Sequence, residues 1–203
     1  GIALTALFSR NGWIGAWLET SGHDTLRPHL TLDEDGNVSE LSVERIDPTG
    51  ADRAHATTVG LYRLGDDGLA LTDRRAVLLA GDVTAVDVPT GMSTPDLVLI
   101  NDLDQTFAAV ALDESGRGVL LRHIADLEPL GRAVAWTALW TELRAGSISS
   151  ADFVGAVLTA RETQSGLLTS VLGWAQQAVS RFTPQDVLAG LAERWRDGAR
   201  AAL

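Results

Sequence analysis

The spacing of hydrophobic residues changes twice along the 203-residue chain. Near the start, Trp13, Trp17 and Leu18 recur at helical spacing, and Gly22 supplies a stop signal. An Arg-Pro pair follows and favours extended backbone, because the residue before a proline avoids the helical region. The pattern therefore predicts a short helix within residues 1–26, followed by strands.

Residues 27–113 have the alternating period of strands. Two segments, "HLTLDEDGNVSELSV" and "TVGLYRLGDDGLALTD", predict hairpins that turn at Asp35–Gly36 and Asp67–Gly68, because glycine accepts the positive φ of a tight turn. Three shorter runs, "TAVDVP", "DLVLIN" and "TFAAVALD", predict further strands. Seven or eight short strands between turn signals indicate an antiparallel β-sandwich.

From residue 114 to residue 203 the period is helical. Ser149 and Asp152 predict a capping box, and Thr183–Pro184 predicts the N-cap and first position of the last helix. About five helices with short connections are typical of stacked αα-hairpins, arranged as in HEAT or armadillo repeats. The predicted fold class is α+β with two domains, a β-sandwich at 27–113 and an all-α domain at 114–203.

Composition excludes several classes of protein. The chain is 45% hydrophobic and 21% charged, which indicates a globular protein, and no apolar run reaches the roughly 20 residues of a membrane span. The net charge is -11 and the arginines are scattered, which argues against a nucleic-acid partner. The absence of cysteine excludes thiolate metal sites and favours a reducing compartment, so we expect a cytoplasmic protein.

The four histidines do not have the spacing of a zinc site. None lies in a His-Glu-x-x-His motif, and no two lie four residues apart on one helix. We expect His23 and His29 to be surface or interdomain residues and His123 to be half-exposed on a helix. The fourth is His55.

The carboxylates offer two weak candidates for chemistry. Asp33–Asn37 has some features of a calcium loop but lacks its spaced ligands, so a hairpin turn is favoured. Asp102 and Asp104 could act as an acid–base pair, although two aspartates beside a turn more simply end a strand. Tyr62 and the tryptophan stripes are interpreted as packed residues. No catalytic, cofactor-binding or metal-binding residue is assigned.

Three stretches resemble the zinc aminopeptidases of the aminopeptidase N family, in their actinobacterial form. "WIGAWLETSGHDTLRP" resembles the closing helix of the catalytic domain, so residues 1–26 would be its tail. "PDLVLINDLDQTFAAVALDE" resembles the end of the small β-sandwich domain, and "AVAWTALWTELRAGSISSADFVGAVL" resembles the start of the helical domain. The resemblance implies a parent enzyme that uses zinc to remove N-terminal residues from peptides. Its motifs His-Glu-x-x-His and Gly-x-Met-Glu-Asn do not occur in residues 1–203.

The resemblance implies a non-catalytic scaffold and lid region, inactive alone, whose partners are the catalytic domain of the same chain and, in the intact enzyme, peptide substrates. We expect no cofactor in these residues, and we expect neither a membrane nor a nucleic acid as a partner. The chain begins without methionine, so we expect a piece of a longer protein with a truncated helical domain. Two alternatives stay open, a free-standing module that binds peptides or proteins and a hydrolase that uses Asp102 and Asp104.

Overall fold

The computed structural model describes residues 12–202, with side chains from residue 15 to residue 200. It has helices and strands in separate parts of the chain, which confirms the α+β class. A single turn of 3-10 helix, Ile124–Asp126, follows the second helix. The elements in order are α1 (Gly12–Leu18), β1 (Thr25–Leu32), β2 (Val38–Ile46), β3 (His55–Gly65), β4 (Gly68–Leu79), β5 (Val83–Ala85), β6 (Leu97–Ile100), β7 (Ala109–Val110), α2 (Glu114–His123), α3 (Pro129–Ala145), α4 (Ser150–Ala160), α5 (Ser165–Arg181) and α6 (Leu188–Ala202).

The strands form two sheets, one in the order β5-β2-β1-β7 and the other in the order β4-β3-β6. Most neighbours are antiparallel, as the sequence predicts, but β7 runs parallel to β1. Two backbone hydrogen bonds carry this pairing, from Ala109 N to Asp24 O and from Ala111 N to Leu26 O, each 2.9 Å long. The direction of β7 differs from the expectation because β6, which precedes it, lies in the other sheet.

Both predicted hairpins are confirmed. β1 and β2 join through Gly36, whose φ is 78°, and β3 and β4 join at Gly68, whose φ is 106°. In the first turn, Oδ1 of Asp33 accepts hydrogen bonds from the backbone N–H groups of Asp35 and Asn37. The stretch Asp33–Asn37 is therefore a hairpin turn closed by its own aspartate, as favoured above.

One hydrophobic core runs from the sheets into the helices. All four residues of β6 are buried, which explains why this strand has a continuous apolar sequence instead of an alternating one. The helix α2 packs on β6, and α3 packs on β7. Trp136 and Phe153 continue the core between α3 and α4. The helices thus pack directly on the strands that end the sheet segment.

The helix boundaries confirm one predicted cap and correct another. Oγ of Ser149 accepts a 3.0 Å hydrogen bond from Asp152 N and caps α4, as predicted. The prediction for Thr183–Pro184 is wrong, because α6 begins only at Leu188. The hydroxyl of Thr183 donates backwards to Ala178 O, at 2.9 Å, and therefore helps to end α5. Pro184 opens a tight turn instead, closed by a 3.2 Å hydrogen bond from Val187 N.

Candidate functional site

A fully buried aspartate lies where the chain leaves α1 and enters β1. The carboxylate of Asp24 accepts a 2.9 Å hydrogen bond from Arg53 Nη1 and another of 2.9 Å from His55 Nε2. Arg45 Nη1 lies 3.7 Å from the same carboxylate. Two arginine cations thus flank one anion inside the protein, which compensates the large cost of burying a charge.

Arg53 extends this cluster to α1. Its Nε donates to Ala16 O at 3.1 Å, and its Nη2 donates to Ser21 O at 3.3 Å and to the hydroxyl of Thr20. These acceptors lie in the last turn of α1 and just after it, where backbone carbonyls have no partner within the helix. The guanidinium also lies 5.8 Å from the ring centroid of Trp17. One buried arginine therefore holds the end of α1 on the sheets.

The first described helix ends before the stop signal that the sequence pattern offers at Gly22. It ends at Leu18, and Gly22 lies beyond it with a φ of 84°. Trp17 packs edge-on against His55, with ring centroids 5.1 Å apart. The side chain of Trp13 and residues 1–11 lie outside the described residues, so the predicted stripe is seen only through Trp17 and Leu18. Of these, Trp17 faces the sheets, whereas Leu18 is exposed.

Asp24, His55 and Thr106 form a chain of hydrogen bonds. Because Asp24 accepts from Nε2 of His55, the hydrogen-bond network assigns Nδ1 as the acceptor of the Thr106 hydroxyl, 2.8 Å away. The order carboxylate, imidazole, hydroxyl is that of a nucleophilic triad. However, His55 is completely buried, and two arginines share its carboxylate. The geometry is therefore that of a structural network, in which the carboxylate joins two arginines and a histidine from different parts of the chain.

Asp102 is the centre of a second buried cluster. Its Oδ1 accepts from the hydroxyl of Thr58 at 2.6 Å, and its Oδ2 accepts from Tyr62 at 3.1 Å and from Arg74 Nε at 2.8 Å. Burial, followed by the negative charge of Asp102, raises the pKa of Tyr62 well above its usual value. The cluster joins β3 and β4 to the turn that follows β6.

Gly60 makes room for this cluster. A Cβ atom on Gly60 would lie 2.5 Å from Oδ2 of Asp102 and 2.6 Å from Cε2 of Tyr62. Only glycine therefore lets the carboxylate approach the middle of β3. The sequence pattern did not reveal this requirement, because the two residues in contact are far apart in the chain.

Asp104 is in a different environment from Asp102. It adopts a φ of 52°, and its side chain is exposed, without an ion-pair or hydrogen-bond partner among residues 15–200. The amide of Asn101 holds this turn, because its Oδ1 accepts from the backbone N–H groups of Gln105 and Thr106. One aspartate is fully engaged by an arginine and two hydroxyls while the other faces solvent. The structure therefore gives no support to an acid–base pair made by the two.

The remaining histidines occupy surface positions. His29 lies 3.0 Å from Glu44 across the β1–β2 pair, and the half-exposed His123 lies 3.2 Å from Asp126. His23 is exposed and packs edge-on against Phe107. Within residues 12–202 no group of three His, Cys, Asp or Glu side chains could hold a metal ion. The donor set in this part of the chain therefore does not fit the zinc that the resemblance implies for the parent enzyme.

The tryptophans of the helical part form an aromatic cluster. Trp140 stacks on Trp174 with ring centroids 5.9 Å apart and planes 6° from parallel, and it also packs against Phe153 and Phe182. These contacts join α3, α4 and α5. The tryptophan stripe of α3 is thus a packing anchor, as interpreted from the sequence.

An ion pair joins α3 to the segment after α4. Arg132 donates to both carboxylate oxygens of Glu162, at 2.9 and 3.1 Å. Burial alone would raise the pKa of Glu162, but the hydrogen bonds from Arg132 and from the backbone of Gln164 and Thr163 outweigh it and lower the pKa. Sequence spacing gives no signal for this pair, because Arg132 lies in α3 and Glu162 lies 30 positions later, in the connection between α4 and α5.

Comparisons with known proteins assign the chain to a family. Residues 97–203 match the ERAP1-like C-terminal domain family, and the chain belongs to it. The chain is also 30% identical to aminopeptidase N of Streptomyces lividans, over 94% of this chain and 24% of that protein. The resemblance to aminopeptidase N is thereby confirmed, and the chain spans about a quarter of the length of this relative.

Comparison with solved structures also finds a match to this chain. It is the crystal structure of Legionella pneumophila aminopeptidase A in complex with aspartic acid, with a TM-score of 0.45 and 12% sequence identity. The match covers 94% of this chain and 24% of that one. Separately, none of the described helices has the length and apolar character needed to cross a membrane.

Proposed function

We propose that this chain is the non-catalytic C-terminal scaffold and lid region of a zinc-dependent aminopeptidase that removes N-terminal residues from peptides. Membership of an aminopeptidase-related C-terminal domain family and the similarity to aminopeptidase N support the proposal. On this proposal the zinc and the catalytic residues lie in another part of the same polypeptide, and the enzyme acts in the cytoplasm.

The contact of Arg53 with α1 supports the scaffold role. The helix resembles the end of a catalytic domain, and Arg53 ties its last turn to the buried Asp24 between the sheets. A buried ion pair at a junction resists rotation about it, because any movement would leave a charge unpaired. Such a junction would hold a catalytic domain in a constant orientation relative to the sheets and helices.

We propose that the chain has the three parts that the sequence predicts. Residues 1–26 would be the tail of the catalytic domain, 27–113 a β-sandwich domain and 114–203 a helical domain. The helices, which are joined by short connections, would continue as a HEAT-like or armadillo-like stack in the intact protein. In that arrangement the helical stack would close over the catalytic cleft and limit the access of peptides to the cleft.

Hydrolysis of aminoacyl-arylamides by the intact gene product and by the 203-residue chain tests the proposal. We expect the intact protein to hydrolyse these substrates, to lose activity with a chelator and to regain it with zinc. The 203-residue chain should show no turnover above background. Chelator-sensitive turnover by the 203-residue chain alone would overturn the proposal, as would a gene without His-Glu-x-x-His upstream of Gly1. In the latter case, a free-standing interaction module becomes the better interpretation.

A further inference from the structure

A cavity of about 190 Å³ lies between the β6–β7 connection and α3. Asp104 and Phe107 line the cavity from the β6–β7 connection. Its other polar lining residues are Asn101, Thr106 and Thr137. The remaining lining is small and apolar, contributed by Ala108, Val110, Ala133, Val134 and Ala138.

Asp104 is the charged residue of this cavity. The amide of Asn101 is occupied by the turn, the hydroxyl of Thr106 donates to His55, and the hydroxyl of Thr137 donates to Ala133 O. The carboxylate of Asp104, in contrast, has no ion-pair or hydrogen-bond partner in the described part of the chain. An incoming cation would therefore not have to displace an existing partner.

Phe107 adds an aromatic surface beside the carboxylate. Its side chain is 71% exposed although it is large and apolar. The ring of His23 packs perpendicular to it, with centroids 6.0 Å apart, and supports its position. Aromatic residues, phenylalanine among them, are enriched in protein interfaces relative to the rest of the surface.

A carboxylate, an aromatic ring and an apolar wall together match one kind of side chain. The stem of an arginine can lie along alanine and valine, while its planar guanidinium stacks on an aromatic ring and binds a carboxylate. The volume of 190 Å³ lies below the roughly 300–1,000 Å³ of pockets for small molecules. The cavity therefore fits a single inserted side chain better than a separate ligand.

We propose that Asp104, Phe107 and this cavity, here called the Asp104 surface, receive an arginine side chain of the catalytic part of the same polypeptide. The inference rests on the proposed function. The relative is about four times as long as the matched region, so most of such an enzyme lies outside these residues. His23, in contact with Phe107, lies in the short segment between α1 and β1, which puts the Asp104 surface near the element that resembles the end of the catalytic domain.

The chemistry of the site is tested on the 203-residue chain with N-acetyl-arginine amide as the probe. Two-dimensional NMR should show shifts confined to residues 101–108 and the facing side of α3. N-acetyl-citrulline amide, which lacks the charge, should bind at least ten-fold more weakly, and so should the arginine probe to the Asp104→Asn variant. Asp66→Asn, which removes an exposed carboxylate from the β3–β4 turn, is the matched control and should leave binding unchanged. Equal binding of both probes, or no binding of either, would overturn the inference.

The occupant is tested in the intact protein by hydrogen exchange. The backbone amides of Phe107 and Ala108 should exchange at least ten-fold more slowly in the intact protein than in the 203-residue chain. Asp104→Arg should remove that protection, whereas Asp66→Arg should not. If the intact protein is an active zinc aminopeptidase but these amides exchange equally fast in both forms, the inference is wrong and the proposed function stands. If no catalytic part precedes the chain, the proposed function fails and the occupant named here fails with it, whatever the arginine probe does.

Discussion

Nη1 of Arg53 and Oδ1 of Asp24 form a 2.9 Å ion pair from which solvent is almost completely excluded. The same arginine reaches the last turn of α1, and the same aspartate accepts from His55. This pair links the first described helix to strands of both sheets. Its position explains why the histidine and aspartate after α1 have no catalytic arrangement: Asp24 is a structural residue of the junction.

Asp24→Asn should destabilise the chain by about 3–5 kcal/mol, because the buried guanidinium of Arg53 would lose its counter-charge. Urea unfolding followed by circular dichroism measures the change. The matched control is Glu44→Gln, which removes the solvent-accessible pairs of Glu44 with Arg27 and His29. Exposed pairs contribute about 0–1 kcal/mol, so this variant should remain close to the original stability. Equal losses in the two variants would contradict a structural role for Asp24.

Gly60→Ala should destabilise the chain by about 1–3 kcal/mol, as expected when an added methyl group forces a packed interior to shift. The new Cβ would overlap the carboxylate of Asp102. Gly173→Ala is the control, because Gly173 lies within α5 and a Cβ atom added there would meet no other part of the chain within 4 Å. That change should stabilise the helix by about 0.5–1 kcal/mol. Thermal unfolding of both variants tests whether the opposite signs occur.

The contribution of Glu162 to stability should depend on acid pH. Its pKa is lower in the folded chain than the usual 4.5, so its contribution is fully present above that pH and is lost as the pH falls through the folded pKa. Glu162→Gln should therefore be less stable than the original at pH 7, and the difference should shrink below about pH 4.5. Urea midpoints between pH 3 and pH 7 provide the measurement. A difference that stays constant over this range would contradict the assignment.

Arg132→Gln tests the same ion pair from its other side. Removal of the guanidinium takes away the main hydrogen bonds that lower the pKa of Glu162. The acid part of the stability profile should consequently become flatter in this variant. A profile as steep as the original would show that the backbone hydrogen bonds alone account for the lowered pKa.

Tyr62 should make the chain sensitive to alkali. Burial and the adjacent Asp102 raise its pKa in the folded state, so the phenol stabilises the fold below its unfolded pKa of about 10 and loses this effect as the pH rises further. Tyr62→Phe should cost about 1 kcal/mol at pH 8, the usual value of a hydrogen bond. The difference from the original should then narrow above pH 10. Urea midpoints from pH 8 to pH 11 test this, and a constant gap would count against it.

The local part of the fold could be predicted from the sequence. The two glycine hairpins, the cap at Ser149 and the change from strand to helix near residue 113 all depend on neighbours a few positions apart. The helix boundary that the sequence predicts wrongly involves a side chain whose hydrogen bond goes to a more distant group. Thr183, for example, has the composition of an N-cap, but Ala178 O and Ser150 Oγ are available to its hydroxyl in the folded chain.

The period of each segment, the turns and the family resemblance can be read from the sequence, because they depend on local backbone preferences and on residue order. Tertiary structure alone decided which charged residues are buried. Arg53 meets Asp24 across 29 positions, and Thr58 meets Asp102 across 44. The same long-range packing placed β7 parallel to β1 and left Asp104 exposed while it enclosed Asp102. Such pairings follow from which chain segments share an interior, where the cost of an unpaired charge selects the partners.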